Sequence, residues 1–553
     1  MGLHTELTDS ILEVDVIIAG GGTAGCVIAS RLADADKQLS ILVVESGQDN
    51  FGLPTVTNPA LCRATLMPGT ANAFHYKSRK EAQLSDREVV VTTGGLLGGS
   101  SSINGMIYQR GQLCNFDSWD TRGWSGKEVV SFLKKFETYD GEDGNESHGH
   151  DGPMHVSGGL YRGKEVGDDF IAATAQLGYP EVQDLQDLET VNAVSPLRRF
   201  DGEHPNLHVL VGSQVTRIIF DEGKRATGVE FRPNPELKAE GSAERPATGT
   251  VRARNMVIVT AGAFGSPNML ERSGIGALEV LQQARVPVVA HLPGVGHGYQ
   301  DHQASLYTYK AEMPPEDSWE SIYNGTRQIP ELLANNDKIL SWNGVDASAK
   351  IRPTQVEADS LGPRFRQTWD QDVKDVRSKP LVSLILITGI LGDPTPFPPG
   401  LYLTVCSYTT YPYSRGHVHI TGPSIDDAVD FKTEYLSDPD DFDLKAQVWA
   451  YKKQRRVARG MPVFGGELPG QHPAFPEGSK ASPVPEKKAG GDGAATDVEY
   501  GPEDDAAIKH FIRTSVGTTW HPLGTCKMAP VEQMGVVDDR RESRGYFYTR
   551  ARS

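Results

Sequence analysis

The sequence predicts an α/β fold organised around a parallel sheet, and three consecutive features carry that expectation. Residues 11–20, ILEVDVIIAG, are rich in β-branched side chains and end in glycine, as a buried strand entering a turn would. Residues 23–33 are helix formers. Residues 38–46, QLSILVVES, form a second apolar strand. Strand, turn, helix and strand in this order make a βαβ unit, whose two strands run parallel.

Further strands are expected at 208–220, 228–233, 255–262, 401–410 and 416–422, and helices over 126–138 and 505–513. The stretch from Pro469 to Glu499 is dense in Gly, Pro, Ala, Lys and Asp and reads as a mobile loop. The acidic run DGEDGNESHGHDG at 140–152 reads as a surface loop, with His148 and His150 as loop residues rather than metal ligands. No internal repeat is visible.

A chain of 553 residues can build two or more domains with large cores. Its 38% hydrophobic and 23% charged residues place it among globular proteins. Asp and Glu number 72 against 55 Lys and Arg, a net charge of −17 that repels phosphate backbones and anionic lipid. Nucleic acid and membrane are therefore excluded as partners. Cys26, Cys62, Cys114, Cys406 and Cys526 are scattered without a C-x-x-C pair, so neither a disulfide framework nor a zinc site is expected. The N-terminus lacks the basic and apolar regions of a secretory signal. Glu6 stands where a myristoylation signal needs Ser or Thr, and the final ARS does not match SKL. The longest apolar run, Leu381 to Leu391, is too short to span a bilayer. A cytoplasmic or peroxisomal location is expected.

The turn of the βαβ unit carries the first chemical signal. Gly20-Gly21-Gly22-Thr23-Ala24-Gly25 fits G-x-G-x-x-G, after a strand and opening a helix. Gly20 permits the tight turn, Gly22 lets a pyrophosphate approach the backbone, and Gly25 lets helix and strand pack closely. The helix N-terminus, including Thr23 and Ala24, offers unpaired N–H groups and a partial positive charge. Glu45, at the end of the second strand, can accept hydrogen bonds from ribose hydroxyls and would repel a 2′-phosphate. This motif implies a dinucleotide, and by itself does not separate FAD from NAD.

Four later blocks bear a family likeness. Gly98-Gly99-Ser100-Ser101-Ser102-Ile103-Asn104-Gly105 resembles the first signature of the glucose–methanol–choline (GMC) oxidoreductases. Residues 262–276, GAFGSPNMLERSGIG, resemble the second; within them Pro267 suits a first helical turn capped by Ser266, and Gly274 and Gly276 suit its exit. Leu292-Pro293-Gly294-Val295-Gly296 and Gln300-Asp301-His302 follow in family order, and Thr519-Trp520-His521-Pro522 resembles the segment bearing the catalytic histidine. Residues 449–461 and 503–513 look most like fungal alcohol oxidases of the methanol type.

The resemblance implies FAD, held by Gly20, Gly22, Thr23, Ala24, Gly25 and Glu45, by Gly98, Gly99, Ser100, Ser102, Asn104 and Gly105, and by Val215, Trp520 and His521. Val215 would present its backbone to the adenine. Ile103 has no nucleophilic atom where relatives with covalent flavin can carry histidine, so FAD should be noncovalent. His521 would accept a proton from the substrate hydroxyl while flavin N5 accepts hydride, as suits a side chain whose unperturbed pKa is roughly 6.5. The implied reaction turns a primary alcohol into an aldehyde, with oxygen as electron acceptor. The alternatives are a dehydrogenase with another acceptor and a truncated, non-catalytic remnant. An esterase is excluded because no G-x-S-x-G elbow occurs. Methanol-type oxidases typically carry an aromatic residue where Gly105 stands, so a larger primary alcohol is expected. Two intertwined domains are implied: an FAD domain from 11–158, 205–302 and 507–553, and a substrate domain from 159–204 and 303–506 with an antiparallel sheet covered by helices.

Three departures from the family pattern carry expectations of their own. Gly95 lies where relatives have a basic or amide side chain, and the run 197–202 is abridged. After Asp538, relatives continue through an Asp-containing strand against the flavin and a closing helix bearing a second active-site Asn or His. Here the residues are RRESRGYFYTRARS after Asp539, with neither pattern, so weak FAD binding and slow turnover are expected.

Overall fold

Strands β1 (Gly2–His4), β2 (Glu13–Ala19), β3 (Ile41–Val44), β4 (His208–Leu210), β5 (Ser213–Phe220), β6 (Ala226–Pro233) and β7 (Gly249–Val259) form one seven-stranded sheet in the order β1-β4-β3-β2-β7-β6-β5. The five strands from β1 to β7 pair in parallel, while β6 and β5 add antiparallel. Helix α1 (Thr23–Ala35) makes the crossover between β2 and β3. The continuous apolar character of these strands follows from burial on both faces. Ile17, Ala19, Leu42 and Val44 pack on one side, whereas Val16, Ile18, Ile41 and Val43 pack against Ala29 and Ala33 of α1 on the other. The computed structural model describes residues 2–7, 11–67, 69–141, 146–196, 199–201, 208–237, 248–486 and 498–539.

A second seven-stranded sheet is antiparallel throughout. It contains Ala193–Pro196, β8 (Gln303–Ala311), β9 (Val345–Ile351), β10 (Val382–Ile387), β11 (Tyr402–Thr409), β12 (Phe464–Glu467) and β13 (Gly517–Thr518). The apolar run at 381–391 is thus the central strand β10, every residue of which is buried. Tyr307, Tyr309, Leu403 and Val405 of this sheet share a core with Leu444, Val448 and Tyr451 of a long helix at Phe442–Gly460. The short β13 pairs with β8, so the chain enters the His521 loop from the edge of this second sheet.

The expected helices form at Gly126–Phe136, with a Ser125/Glu128 capping box, and at Pro502–Ser515. Residues 469–486 run without helix or strand, and 487–497 lie outside the described residues. Two local readings need correction. His148 is not a surface residue: it is buried, 2.9 Å from Glu137 and 3.1 Å from Asp184, and stacked on Tyr139. Among the described residues no cluster of His, Cys, Asp or Glu can hold a metal. Pro267 is not in a first turn, because helix α2 spans Gly262–Arg272 and encloses it. Proline has no N–H for the carbonyl four residues back. The Thr525 hydroxyl donates to that carbonyl, Ala263 O, at 2.7 Å, which restores the missing partner. Among the described residues no helix is long and apolar enough to cross a membrane.

Candidate active site

The carboxyl end of β2 is where the sheet changes direction, with β3 on one side and β7 on the other, and such switch points open crevices for ligands. Here the crevice is a cavity of about 1860 Å³. That exceeds the roughly 300–1,000 Å³ of a small-molecule site and leaves room for a dinucleotide with a substrate beside it.

The cradle is set by backbone geometry. Gly20 has φ of +111°, and a Cβ on Gly25 would lie 2.1 Å from Gly20 O. Glycine is forced at both positions by the protein itself. At Gly22 an added Cβ would meet no protein atom closer than 3.9 Å, so the space it leaves belongs to the cavity. Gly22 also caps α1 without a side-chain acceptor, which leaves helix N–H groups facing that space. The Glu45 carboxylate accepts from Gly21 N at 2.7 Å and Gly47 N at 2.8 Å. Burial pushes its pKa up to about 7, against the pull of those N–H donors.

The second glycine turn closes onto the first. Gly98 N donates to Gly21 O at 2.8 Å, and a Cβ on Gly99 would lie 2.8 Å from Gly22 Cα. Gly98 and Gly99 both have positive φ. Ser100 faces the cavity, and its Oγ accepts from Gly94 N at 3.1 Å. Ser102 does not face it: its hydroxyl donates to Leu97 O and accepts from Asn50. Asn104 is likewise turned to its own backbone, accepting from Met106 N at 2.9 Å. Gly25, Gly98 and Gly105 also lie off the cavity wall. Gly95 is tightly seated, since a Cβ there would press on Ala73 and Phe74 at 3.3 Å. Ile103 is buried against Ala73 and Leu96.

On the wall, the structure gathers Gly20, Gly22, Thr23, Ala24 and Glu45 from the first turn, and Gly99 and Ser100 from the second. Val215 joins them from β5, and Trp520 and His521 from the loop after β13. Trp520 holds φ of +61°, a left-handed conformation uncommon for a bulky side chain, and its N–H donates to Thr518 Oγ1 at 2.6 Å.

His521 is fixed at three points. Its N–H donates to Asp301 Oδ1 at 3.0 Å, and its Nδ1 lies 2.9 Å from Thr519 Oγ1 and 3.1 Å from His302 Nδ1. No described hydrogen bond engages Nε2, and the ring opens onto the cavity. Lost solvation lowers the His521 pKa, with Asp301 pulling the other way. Asp301 is itself a buried hub, accepting from Tyr435 at 3.0 Å, Tyr299 at 3.4 Å and the Thr518 hydroxyl. Burial raises its pKa above the usual carboxylate value. Asp301, His302 and Thr518 were given no chemistry by the sequence. The consecutive polar pair before β8 was the available signal.

A glycine cradle at the carboxyl ends of a parallel sheet, sharing one cavity with an imidazole, defines a dinucleotide-dependent oxidoreductase. The comparisons with known proteins make the class particular. The GMC oxidoreductase family matches residues 14–304 with its N-terminal part and 412–546 with its C-terminal part. Alcohol oxidase 2 of Komagataella phaffii is 34% identical over 587 residues, covering 95% of this chain and 87% of that one. Alcohol oxidase of Candida boidinii is 33% identical, covering 96% and 89%. An FAD-dependent oxidoreductase from Chaetomium thermophilum has the same fold, with a TM-score of 0.76 at 22% identity over 97% of this chain and 93% of that one. The chain belongs to the GMC oxidoreductase family and is an FAD-dependent oxidoreductase acting on CH–OH groups. The cradle fits the cofactor: the space at Gly22 and the uncapped N–H groups of α1 suit a pyrophosphate. Residues 197, 198 and 202 of the abridged run, and residues 540–553, lie outside the described residues.

Proposed function

We propose that this chain oxidises a primary alcohol larger than methanol to its aldehyde and uses oxygen as electron acceptor. The observation that carries the reading is the free Nε2 of His521 on the same cavity wall as the cradle. Alcohol oxidases at 33–34% identity support the substrate class and the acceptor.

Gly20, Gly22, Thr23 and Ala24 form the phosphate site, with Gly25 packing the turn behind it, Glu45 for ribose hydroxyls and the Val215 backbone for adenine. Gly98, Gly99, Ser100, Ser102, Asn104 and Gly105 form or brace the turn beside the flavin. Trp520 and His521 bound its other side. Bound there, FAD would supply the hydride acceptor at flavin N5, with oxygen as the final electron acceptor. His521 takes the hydroxyl proton at Nε2, which raises the hydride donor strength of the substrate carbon. Its lowered pKa keeps the ring neutral and ready to accept at neutral pH. Activity then has an acid limb, falling as pH drops through the His521 pKa.

Ile103 offers no nucleophile, so the flavin is held noncovalently; acid precipitation should release all yellow colour into the supernatant. Colour retained in the pellet would contradict this. An added Cβ at Gly105 would meet only Ile107, at 3.9 Å, but Gly105 lies off the cavity wall, so the preference for a bulkier alcohol rests on the lack of an aromatic side chain at this position and not on space seen in the cavity. The test is oxygen uptake across a series of primary alcohols. Faster turnover of methanol than of longer alcohols would overturn the substrate reading. Dye reduction without oxygen uptake would make the enzyme a dehydrogenase.

A further inference from the structure

The proton acceptor at Nε2 requires that His521 carry its own proton on Nδ1, since a neutral imidazole has one N–H and one lone pair. Two groups lie within reach of Nδ1, and they differ in what they can specify. Thr519 Oγ1, at 2.9 Å, is a hydroxyl that can donate or accept. It can accept from Nδ1–H while donating to His302 O at 3.2 Å, or turn and donate to a bare Nδ1. The second arrangement puts the proton on Nε2 and removes the base. Thr519 alone does not choose between them.

His302 does choose. Its Nδ1 lies 3.1 Å from His521 Nδ1, with the two rings at 90° and centroids 5.2 Å apart. Its ring stacks on Tyr408 at 5.1 Å, and Tyr408 is anchored by its hydroxyl to Gln109 Oε1 at 2.6 Å. The ring also has a backbone hydrogen bond at Thr410. With Nδ1 turned to His521, Nε2 is the nitrogen left for that bond, and a ring protonated at Nε2 presents a lone pair at Nδ1. We propose that His302 is a positioning residue whose Nδ1 lone pair accepts from His521 Nδ1–H and so fixes the tautomer that leaves Nε2 free for the substrate proton. Loss of solvation, together with the nearby His521, holds the His302 pKa down to about 3, so it keeps this lone pair throughout the working range. The other titratable groups at the pair are Tyr408, which burial pushes up to about 12, and Asp301, which holds the His521 backbone N–H rather than its ring. The inference rests on His521 as the proton acceptor.

Three variants test it. His302→Phe keeps a ring against Tyr408 but removes the acceptor. His302→Asn loses the ring and keeps an oxygen near the position of Nδ1. A tautomer role predicts that His302→Phe lowers kcat on the order of 10²-fold with KM little changed, while His302→Asn stays within about tenfold of the parent. A packing role gives the opposite order and overturns the inference. A second readout does not depend on turnover: the pH at which the bound-flavin absorbance shifts reports the titration of His521. Loss of the acceptor destabilises the imidazolium, so that pH falls in His302→Phe and returns toward the parent value in His302→Asn. No difference between the two variants overturns the inference. Should His302→Phe not retain flavin, His302→Asn alone decides: loss beyond tenfold counts against the role, and smaller loss supports it. His521→Gln separates the underlying reading. If that variant keeps full kcat, His521 is not the base; if it fails while the His302 order is reversed, only the tautomer role falls.

Discussion

The glycine cradle and the His521 corner meet in one cavity but are built by opposite means. The cradle is a backbone device. Gly20, Gly25 and Gly99 are set by the approach of neighbouring main chain, and Glu45 braces two N–H groups within the same turn region. The corner is a side-chain device. Asp301 and His302, Thr518 and Thr519, and Tyr435 come from three separate segments, and each acts through another. Backbone devices tolerate few residue types but depend on short stretches of chain. Side-chain devices depend on the whole fold being in place.

Mutations can separate the two regions. The largest expected effect is His521→Ala, which should lower kcat/KM by about 10²–10⁴-fold while flavin content stays normal. If flavin leaves as well, the two regions are not independent. Next is a pair of glycines. Gly25→Ala drives a Cβ to 2.1 Å from Gly20 O and should cost about 1–3 kcal/mol in thermal unfolding, with flavin lost. Gly22→Ala has no protein atom within 3.9 Å of its Cβ, so it should leave apoprotein stability unchanged and weaken FAD about tenfold, near 1.4 kcal/mol. Equal effects from both would erase the distinction between packing and ligand glycines. Asp301→Asn puts an amide among hydroxyl donors and an N–H; about 1–3 kcal/mol of stability should go, with lower kcat and unchanged FAD affinity.

The last effect is a slope with pH. Glu45 has a pKa of about 7 in the fold against 4.5 as its ordinary value. The folded apoprotein therefore binds more protons than the unfolded chain between those values. Stability from this group is greatest below 4.5 and declines as pH rises through 7. Urea unfolding of the apoprotein at pH 5 and pH 7.5 should show that slope, and Glu45→Gln should lack it. Ribose hydroxyls that donate to the carboxylate should make FAD uptake release protons near neutrality.

These differences explain what was legible in the sequence. The βαβ unit was readable because turn, helix and strands are contiguous and each glycine has a local reason. The second sheet was half hidden: β10 is buried at every position, so it shows no alternation and reads merely as an apolar run. The helix at Phe442–Gly460 was missed as a helix because so much of it is buried, including Gln447, Gln454 and Arg455. His521 was singled out through family likeness, but its hydrogen-bond partners were not. Nothing local to Asp301 says that Tyr435 and Thr518 will donate to it. Ser102 and Asn104 were placed on the flavin side by residue type, whereas their side chains are spent on their own turn. Pro267 misled in the same way, because a hydroxyl from Thr525 excuses a proline inside a helix.

The zipper between the two loops of the corner has a consequence for biosynthesis. Gln300 and Leu523 exchange backbone hydrogen bonds, and a Cβ on Gly524 would strike Gly298 O at 2.3 Å. The wall that carries the imidazole is thus clasped to a strand made much earlier, and it reaches the ribosome exit long after the cradle. The two halves of the site therefore cannot be joined until nearly all of the described chain has been made.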